Sequence, residues 1–304
     1  MKKNLHKIFP SKLLLFGEHL INKGGKGLAI PTDLYSGFFN FPKGEKNEFQ
    51  QQSNEAIEKL AHYILHHETL ADKFDLNNFL KEIEKGLYFE SNIPQGYGLG
   101  SSGALVAAIY QRYRKKIDKK NTAAIKDELA EMESFFHGKS SGLDPIVSYL
   151  QQAVILENGV VTTIFDFVPT KNEYKLFLIN THITRQTAPF VNIFLKKYAD
   201  LSIQKTISNA LIPANDSCIS SFLNADHDTF TTSIKLLSHL QLELLPELIP
   251  ASFTTVWKEG LSSNNFHLKI CGAGGGGFIL GFCKKDFPIK DFLPNYTIVE
   301  MLSF

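Results

Sequence analysis

Two glycine runs, each bounded by segments that read as ordered structure, constrain this chain more than any other feature. The first is Pro94-Gln95-Gly96-Tyr97-Gly98-Leu99-Gly100-Ser101-Ser102-Gly103, running into a small-residue helix expected over Ala104 to Tyr113. The second, Lys269-Ile270-Cys271-Gly272-Ala273-Gly274-Gly275-Gly276-Gly277-Phe278, lies between apolar strand segments. Glycine lets backbone N–H groups close on an anion, and a following helix N-terminus adds partial positive charge. Ser101 and Ser102 add hydroxyls able to touch a phosphate or a magnesium ion. The Gly-Lys-Ser/Thr ending of a Walker loop is absent. A glycine-rich turn capped by serine is the plain alternative for the first run. For the second it is a flexible linker, although linkers rarely sit between strand segments of one domain.

Composition narrows the class. The chain has 304 residues, 43% of them apolar, enough for one large domain or two of about 150 residues, each with a real core. Lys+Arg 32 against Asp+Glu 31 leaves a net charge of +1, so no basic surplus drives binding to nucleic acid or to an anionic membrane. The three cysteines, Cys218, Cys271 and Cys283, show no CxxC spacing, which argues for a reducing compartment and against structural zinc. The apolar run Leu13 to Phe16 is too short for a signal peptide, and nothing approaches the ~18 apolar residues of a membrane span. The expectation is a soluble cytoplasmic protein.

Strands are expected over Lys12–Phe16, Gly27–Ile30, Tyr35–Phe41, Leu87–Phe89, Leu176–Asn180, His267–Cys271, Phe278–Cys283 and Thr297–Met301. Gln152–Leu156 and Val160–Phe165 around Asn158-Gly159 read as a hairpin, because Asn-Gly accepts the positive φ of a type I′ turn. Asn54 to His67 has helical period, with Ile57, Leu60, Ala61, Ile64 and Leu65 on one stripe. Helices are also expected over Leu76–Lys85, Thr122–Phe136 and much of Thr187 to Leu261, broken near Pro213, Pro246 and Pro250.

Single residues are ambiguous on their own. Asp144 before Pro145 fits a helix N-cap with proline at the first helical position. Glu133, near Glu128 and Glu131, fits a solvated helix face. Lys12 at a strand start can snorkel to water, and Glu18-His19 can be a surface pair.

Their combination is specific. Lys12–Gly17–Glu18–His19, the glycine/serine loop and the C-terminal glycine loop resemble, in order and spacing, the three motifs of the GHMP small-molecule kinases, from about Phe9 to Cys283. Glu133-Ser134-Phe135-Phe136-His137-Gly138-Lys139-Ser140-Ser141-Gly142-Leu143-Asp144 resembles the segment joining a magnesium-binding Glu to the catalytic Asp in the mevalonate-phosphorylating members. Asn180-Thr181-His182-Ile183-Thr184-Arg185-Gln186-Thr187 resembles another stretch of those members. Departures from the family pattern are Ser11 for Gly, Gly103 for Ala, Ser140 for Pro and Pro145 for Asn.

The resemblance implies an α+β fold of two lobes with the site in the cleft between them. The N-terminal lobe, residues 1–165, is expected to be like ribosomal protein S5 domain 2, and the C-terminal lobe, residues 166–304, ferredoxin-like. It implies Mg²⁺-dependent transfer of the ATP γ-phosphate to an alcohol, with Asp144 as catalytic base and Lys12 beside it. Pro94, Gly96, Gly98, Leu99, Gly100, Ser101, Ser102, Gly103 and Ala104 would hold the nucleotide phosphates, and Glu133 with Ser101 or Ser102 the metal. Glu18, His19, Ser141, Arg185 and Thr187 would form the acceptor pocket, and Gly272, Gly274, Gly275 and Gly276 would buttress the phosphate site. The expected acceptor is mevalonate. Phosphomevalonate or a sugar is the alternative, as is a non-catalytic ligand sensor on the same fold, and a homodimer is compatible with each.

Overall fold

The computed structural model describes residues 6–164 and 173–303, so the expected lobe boundary at 165/166 and the last hairpin residue, Phe165, lie outside the described residues. Strands β1 (Phe9–Phe16) and β2 (Gly27–Asn40) pair antiparallel, and β2 also pairs β3 (Tyr88–Ser91) and β4 (Ala153–Glu157). β4 returns through Asn158 and Gly159, at φ 50° and 79°, into β5 (Val160–Ile164), completing a five-stranded sheet. Positive φ at both turn residues is what a primed hairpin turn requires. Gly27–Ile30 and Tyr35–Phe41 are one continuous strand, not two. The register jumps from Ser11↔Thr32 to Pro10↔Ser36, so the punctuating residues bulge out while pairing continues on both sides.

Helices α1 (Glu48–Leu65), α2 (Leu76–Glu84), α3 (Ser101–Tyr113), α4 (Thr122–His137) and α5 (Leu143–Leu150) accompany this sheet. The α1 stripe is buried at Ile57, Leu60, Ala61 and Ile64, whereas Leu65, at the helix end, is 39% exposed. Small residues Ala104, Ala107 and Ala108 are fully buried on α3, which lets that helix lie close against β1 and α5.

The second sheet is ordered β7-β8-β6-β9, with β6 (Tyr174–Asn180), β7 (Phe266–Ile270), β8 (Phe278–Lys284) and β9 (Thr297–Ser303) all antiparallel. Numbered from β6, this is the 2-3-1-4 order of a ferredoxin-like βαββαβ unit. Its first crossover is enlarged to α6 (Thr187–Tyr198), α7 (Leu201–Thr206), α8 (Ile212–Leu223), α9 (His227–Leu244) and α10 (Thr254–Ser263), and α11 (Ile289–Phe292) lies in the second. The break expected at Pro213 does not occur. A π-helical turn, Ile207–Leu211, joins α7 to α8, and Pro213 falls in the first turn of α8. The wider turn accommodates the proline ring and its missing donor without ending the helix. Pro246 and Pro250 do follow the end of α9, Pro246 as the first residue of one short 3₁₀ turn and Pro250 as the cap of the next.

The two sheets share one core. Phe16 of β1 stacks on Phe282 of β8 at 5.6 Å and meets Phe230 of α9 edge-on at 6.3 Å. All three rings are buried, and such pairs add about 0.5–1.5 kcal/mol each beyond area burial.

His267 of β7 is 4% exposed, and its Nδ1 has no hydrogen-bond partner among the described residues. Burial drives its pKa from 6.5 to about 4. The unfolded chain therefore takes up this proton first, and the stability contributed by neutral His267 is lost as pH falls from 6.5 toward about 4. Thermal unfolding across that range should show a falling midpoint, and His267→Phe should flatten the slope. An identical slope in the two proteins refutes the assignment.

Candidate active site

Every residue of β1 is buried, so a lysine within it must find a counter-charge. Lys12 is 3% exposed and does not snorkel to solvent. Its Nζ lies 2.6 Å from Oδ1 of Asp144, and its backbone N–H donates to Leu99 O at 2.9 Å, tying the glycine/serine loop to β1. Burial works against the ammonium, but the charge and hydrogen bond of Asp144 outweigh it, and Lys12 is held above its ordinary pKa. Asp144 is not the helix cap that Asp-Pro suggests. Gly142, in the left-handed region at φ 74°, takes the cap position of α5, and Asp144 follows in the first turn. Its carboxylate is thereby free to pair with Lys12, and a negative charge at a helix start is also favourable.

The loop of the first glycine run ends at Gly100, φ 73°, which caps α3 with no side-chain hydrogen bond, so the helix begins at Ser101 within the run and not at Ala104. First-turn N–H groups without a side-chain cap suit an anion. An added Cβ at Gly100 would sit 3.4 Å from Asp144 Oδ2, so the loop abuts the Lys12–Asp144 pair. At Gly103 a Cβ would meet Asp144 backbone and side chain at 2.8 Å, which accounts for glycine where the family carries alanine. Ser102 Oγ donates to Glu133 Oε1 at 3.4 Å. Glu133 is 4% exposed and so is no solvated face charge. Burial and the nearby Asp144 carboxylate both push its pKa up.

The second glycine run is packed, not a linker. Gly277 donates to Ile183 O at 2.7 Å and accepts from Thr181 N at 2.9 Å, and Gly275 donates to Leu248 O at 2.6 Å. A Cβ on Gly277 would meet Tyr97 backbone at 2.7 Å, and one on Gly98 would lie 3.5 Å from Gly272 Cα. The two runs touch face to face. The Arg185 guanidinium threads between them, with Nη2 3.0 Å from a Cβ built on Gly98 and 2.8 Å from one built on Gly272. Arg185 is 8% exposed, and Nη1 donates to Thr187 Oγ1 at 2.9 Å. Nε and Nη2 have no hydrogen-bond partner among the described residues, and burial lowers the arginine's pKa. A desolvated guanidinium with bare donors is matched by an anionic ligand that binds both nitrogens.

Glu18 and His19 are not a surface pair. Glu18, at 5% exposure, lies 2.5 Å from Nζ of fully buried Lys269. This pairing points its carboxylate at β7, so Glu18 is a bridge to the second sheet and not an open acceptor contact. Its pKa is raised, burial overcoming the attraction of Lys269. His19, at φ 63°, stacks on Phe194 at 4.7 Å with Nε2 3.2 Å from Ala273 O. Burial lowers its pKa to about 4, so it is neutral at pH 7. Ser141 is exposed and its Oγ accepts from Leu143 N–H at 3.3 Å.

Sequence reasoning missed two participants. Lys269 stands in an alternating strand with no local sign of its partner, although a lysine bounded by leucine and isoleucine in a core strand is itself a signal. Ser140 registers only as a departure from the family, yet its hydroxyl donates to Glu133 Oε2.

A family model described as GHMP kinases N terminal domain matches residues 55–152. The mevalonate kinase of Arabidopsis thaliana is 24% identical, covering 96% of this chain and 91% of its own length. The solved mevalonate kinase of Methanococcus jannaschii superposes with a TM-score of 0.62 at 18% identity, covering 98% of each chain. The L. major mevalonate kinase, solved with R-mevalonate, gives a TM-score of 0.62 at 15% identity, covering 98% of this chain and 96% of that one. The fold is the two-lobed α+β fold of those kinases. Residues 55–152 thus match the GHMP kinase N-terminal domain, and the relatives that the whole chain resembles are named mevalonate kinases. Among the described residues, no helix is long and apolar enough to cross a membrane.

Proposed function

We propose that this chain transfers the γ-phosphate of ATP to the primary alcohol of mevalonate. The observation that carries this reading is the 2.6 Å Lys12–Asp144 pair, placed against the glycine start of α3. Phosphoryl transfer depends on positioning and charge neutralisation more than on covalent assistance. The N–H groups at the start of α3, Gly100–Ser102, would receive the phosphates. Asp144 would accept the hydroxyl proton of the acceptor as the oxygen attacks phosphorus, because a neutral alcohol is a weak nucleophile. The Lys12 ammonium would hold the Asp144 carboxylate in place and offset charge on the transferring group.

Glu133 and the Ser102 hydroxyl form an all-oxygen donor set, the hard-ligand chemistry that suits Mg²⁺ shared with nucleotide phosphates and water. Bound there, Mg²⁺ would neutralise phosphate charge. Arg185 would take the acceptor's carboxylate on Nε and Nη2, oriented by Thr187, with neutral His19 on the neighbouring wall. Names of relatives support mevalonate over other acceptors.

ATP consumption measured side by side with mevalonate, phosphomevalonate, galactose and homoserine tests this. Turnover is expected with mevalonate. Preference for a phosphorylated acceptor or a sugar reassigns the substrate, and Mg-ATP binding without turnover on any acceptor makes the chain a sensor.

A further inference from the structure

Between Glu133 and Asp144 the chain makes a tight turn, and Ser140 sits at its centre. Its backbone N–H donates to Ser134 Oγ at 3.2 Å, and Ser134 Oγ in turn donates to Ala130 O at 2.7 Å, so the turn is sutured to α4. Its Oγ accepts from Gly142 N–H at 2.9 Å, which occupies a lone pair and leaves the hydroxyl proton facing Glu133 Oε2, where a hydrogen bond forms. A hydroxyl held this way has one rotamer and one acceptor. Glu133 Oε2 is therefore engaged, and Oε1 is left beside Ser102. Gly142 is also the cap of α5, which carries Asp144. One side chain thus joins the carboxylate on α4 to the start of the helix holding the base. The proline that the family pattern carries at this place has no hydroxyl and cannot make either contact.

We propose that Ser140 is a positioning residue that locks the Glu133 carboxylate so that Oε1 faces the Mg²⁺ bound with the nucleotide. The proposal rests on the kinase reading above. Hydrogen-bond partners that orient a metal ligand are worth roughly 10–100-fold in metal affinity.

Calorimetric titration of a non-hydrolysable ATP analogue, with Mg²⁺ and with EDTA, separates metal-dependent from metal-free affinity without any turnover. The ratio of the two is expected to fall about 10-fold in Ser140→Ala, within that range, with metal-free affinity unchanged, and Ser140→Thr should restore it. Ser140→Pro is a second donor-less variant should the alanine fail to fold. A folded Ser140→Ala with the wild-type ratio overturns the proposal. So does an equal fall in both affinities, which marks a merely structural serine. A wild-type protein whose nucleotide affinity ignores Mg²⁺ overturns both this proposal and the metal site beneath it.

Discussion

Asp144→Asn is expected to lower kcat by at least ~10²-fold, the low end for a positioned acid–base group, while nucleotide affinity stays near wild type. Asparagine matches the shape of the side chain and can still meet Lys12 through its amide oxygen, but it cannot take up the acceptor's proton. It also removes the negative charge that Lys12 answers across 2.6 Å. Lys12 would then be a buried cation whose remaining nearby carboxylates are Glu133 and Glu18, the latter already paired with Lys269. Some loss of thermal stability should therefore accompany the loss of rate. Steady-state kinetics at saturating ATP and acceptor, with a melting curve of the same preparation, separates the two effects. A folded variant that turns over at close to the wild-type rate removes Asp144 from the chemistry.

Lys269→Met should have the largest effect on stability. The ammonium is fully buried, 2.5 Å from Glu18 and 2.7 Å from Ile270 O, so its removal leaves a carboxylate stranded between the sheets. Deleting one partner of a buried pair costs about 3–5 kcal/mol, whereas replacing both by neutral groups is often close to neutral. Urea unfolding of Lys269→Met, Glu18→Gln and the double variant gives the coupling directly. The double variant is expected to regain most of what Lys269→Met loses. Additive losses would mean that the two groups do not act as a pair. Because Glu18 follows the strand that carries Lys12, and Lys269 leads into the second glycine run, the single variant should also lower kcat.

Much of the site was legible because its parts are local. Glycine runs, a serine pair and a helix of small residues mark tight, closely packed loops from the residues alone, since only glycine tolerates such loop conformations and close approaches. What misled was local too. Asp144-Pro145 is a good capping sequence, but Gly142 reaches the left-handed conformation one residue before the helix and takes the cap. Glu133 shares its helix with Glu128 and Glu131 and looked solvated, yet α4 turns it inward against Ser102 and Ser140. Pro213 read as a helix stop, and a π-turn absorbed it. The two strands expected on either side of Asp33 merged, because a bulge costs less than ending the pairing.

The order of elements, the helical stripe of α1, the hairpin at Asn158-Gly159 and the two tight glycine loops follow from short-range rules of spacing and backbone freedom, and the amino-acid order suffices for them. The Lys12–Asp144 pair was decided only when α5 packed on β1, and Glu18–Lys269, 251 residues apart in the chain, only when the sheets closed on each other. A side chain's charge state and partner depend on what burial brings near it, and that is a property of the packed molecule. The same closure left Arg185 desolvated between two glycine turns, with donors free for an anion that nothing in its neighbouring residues specifies.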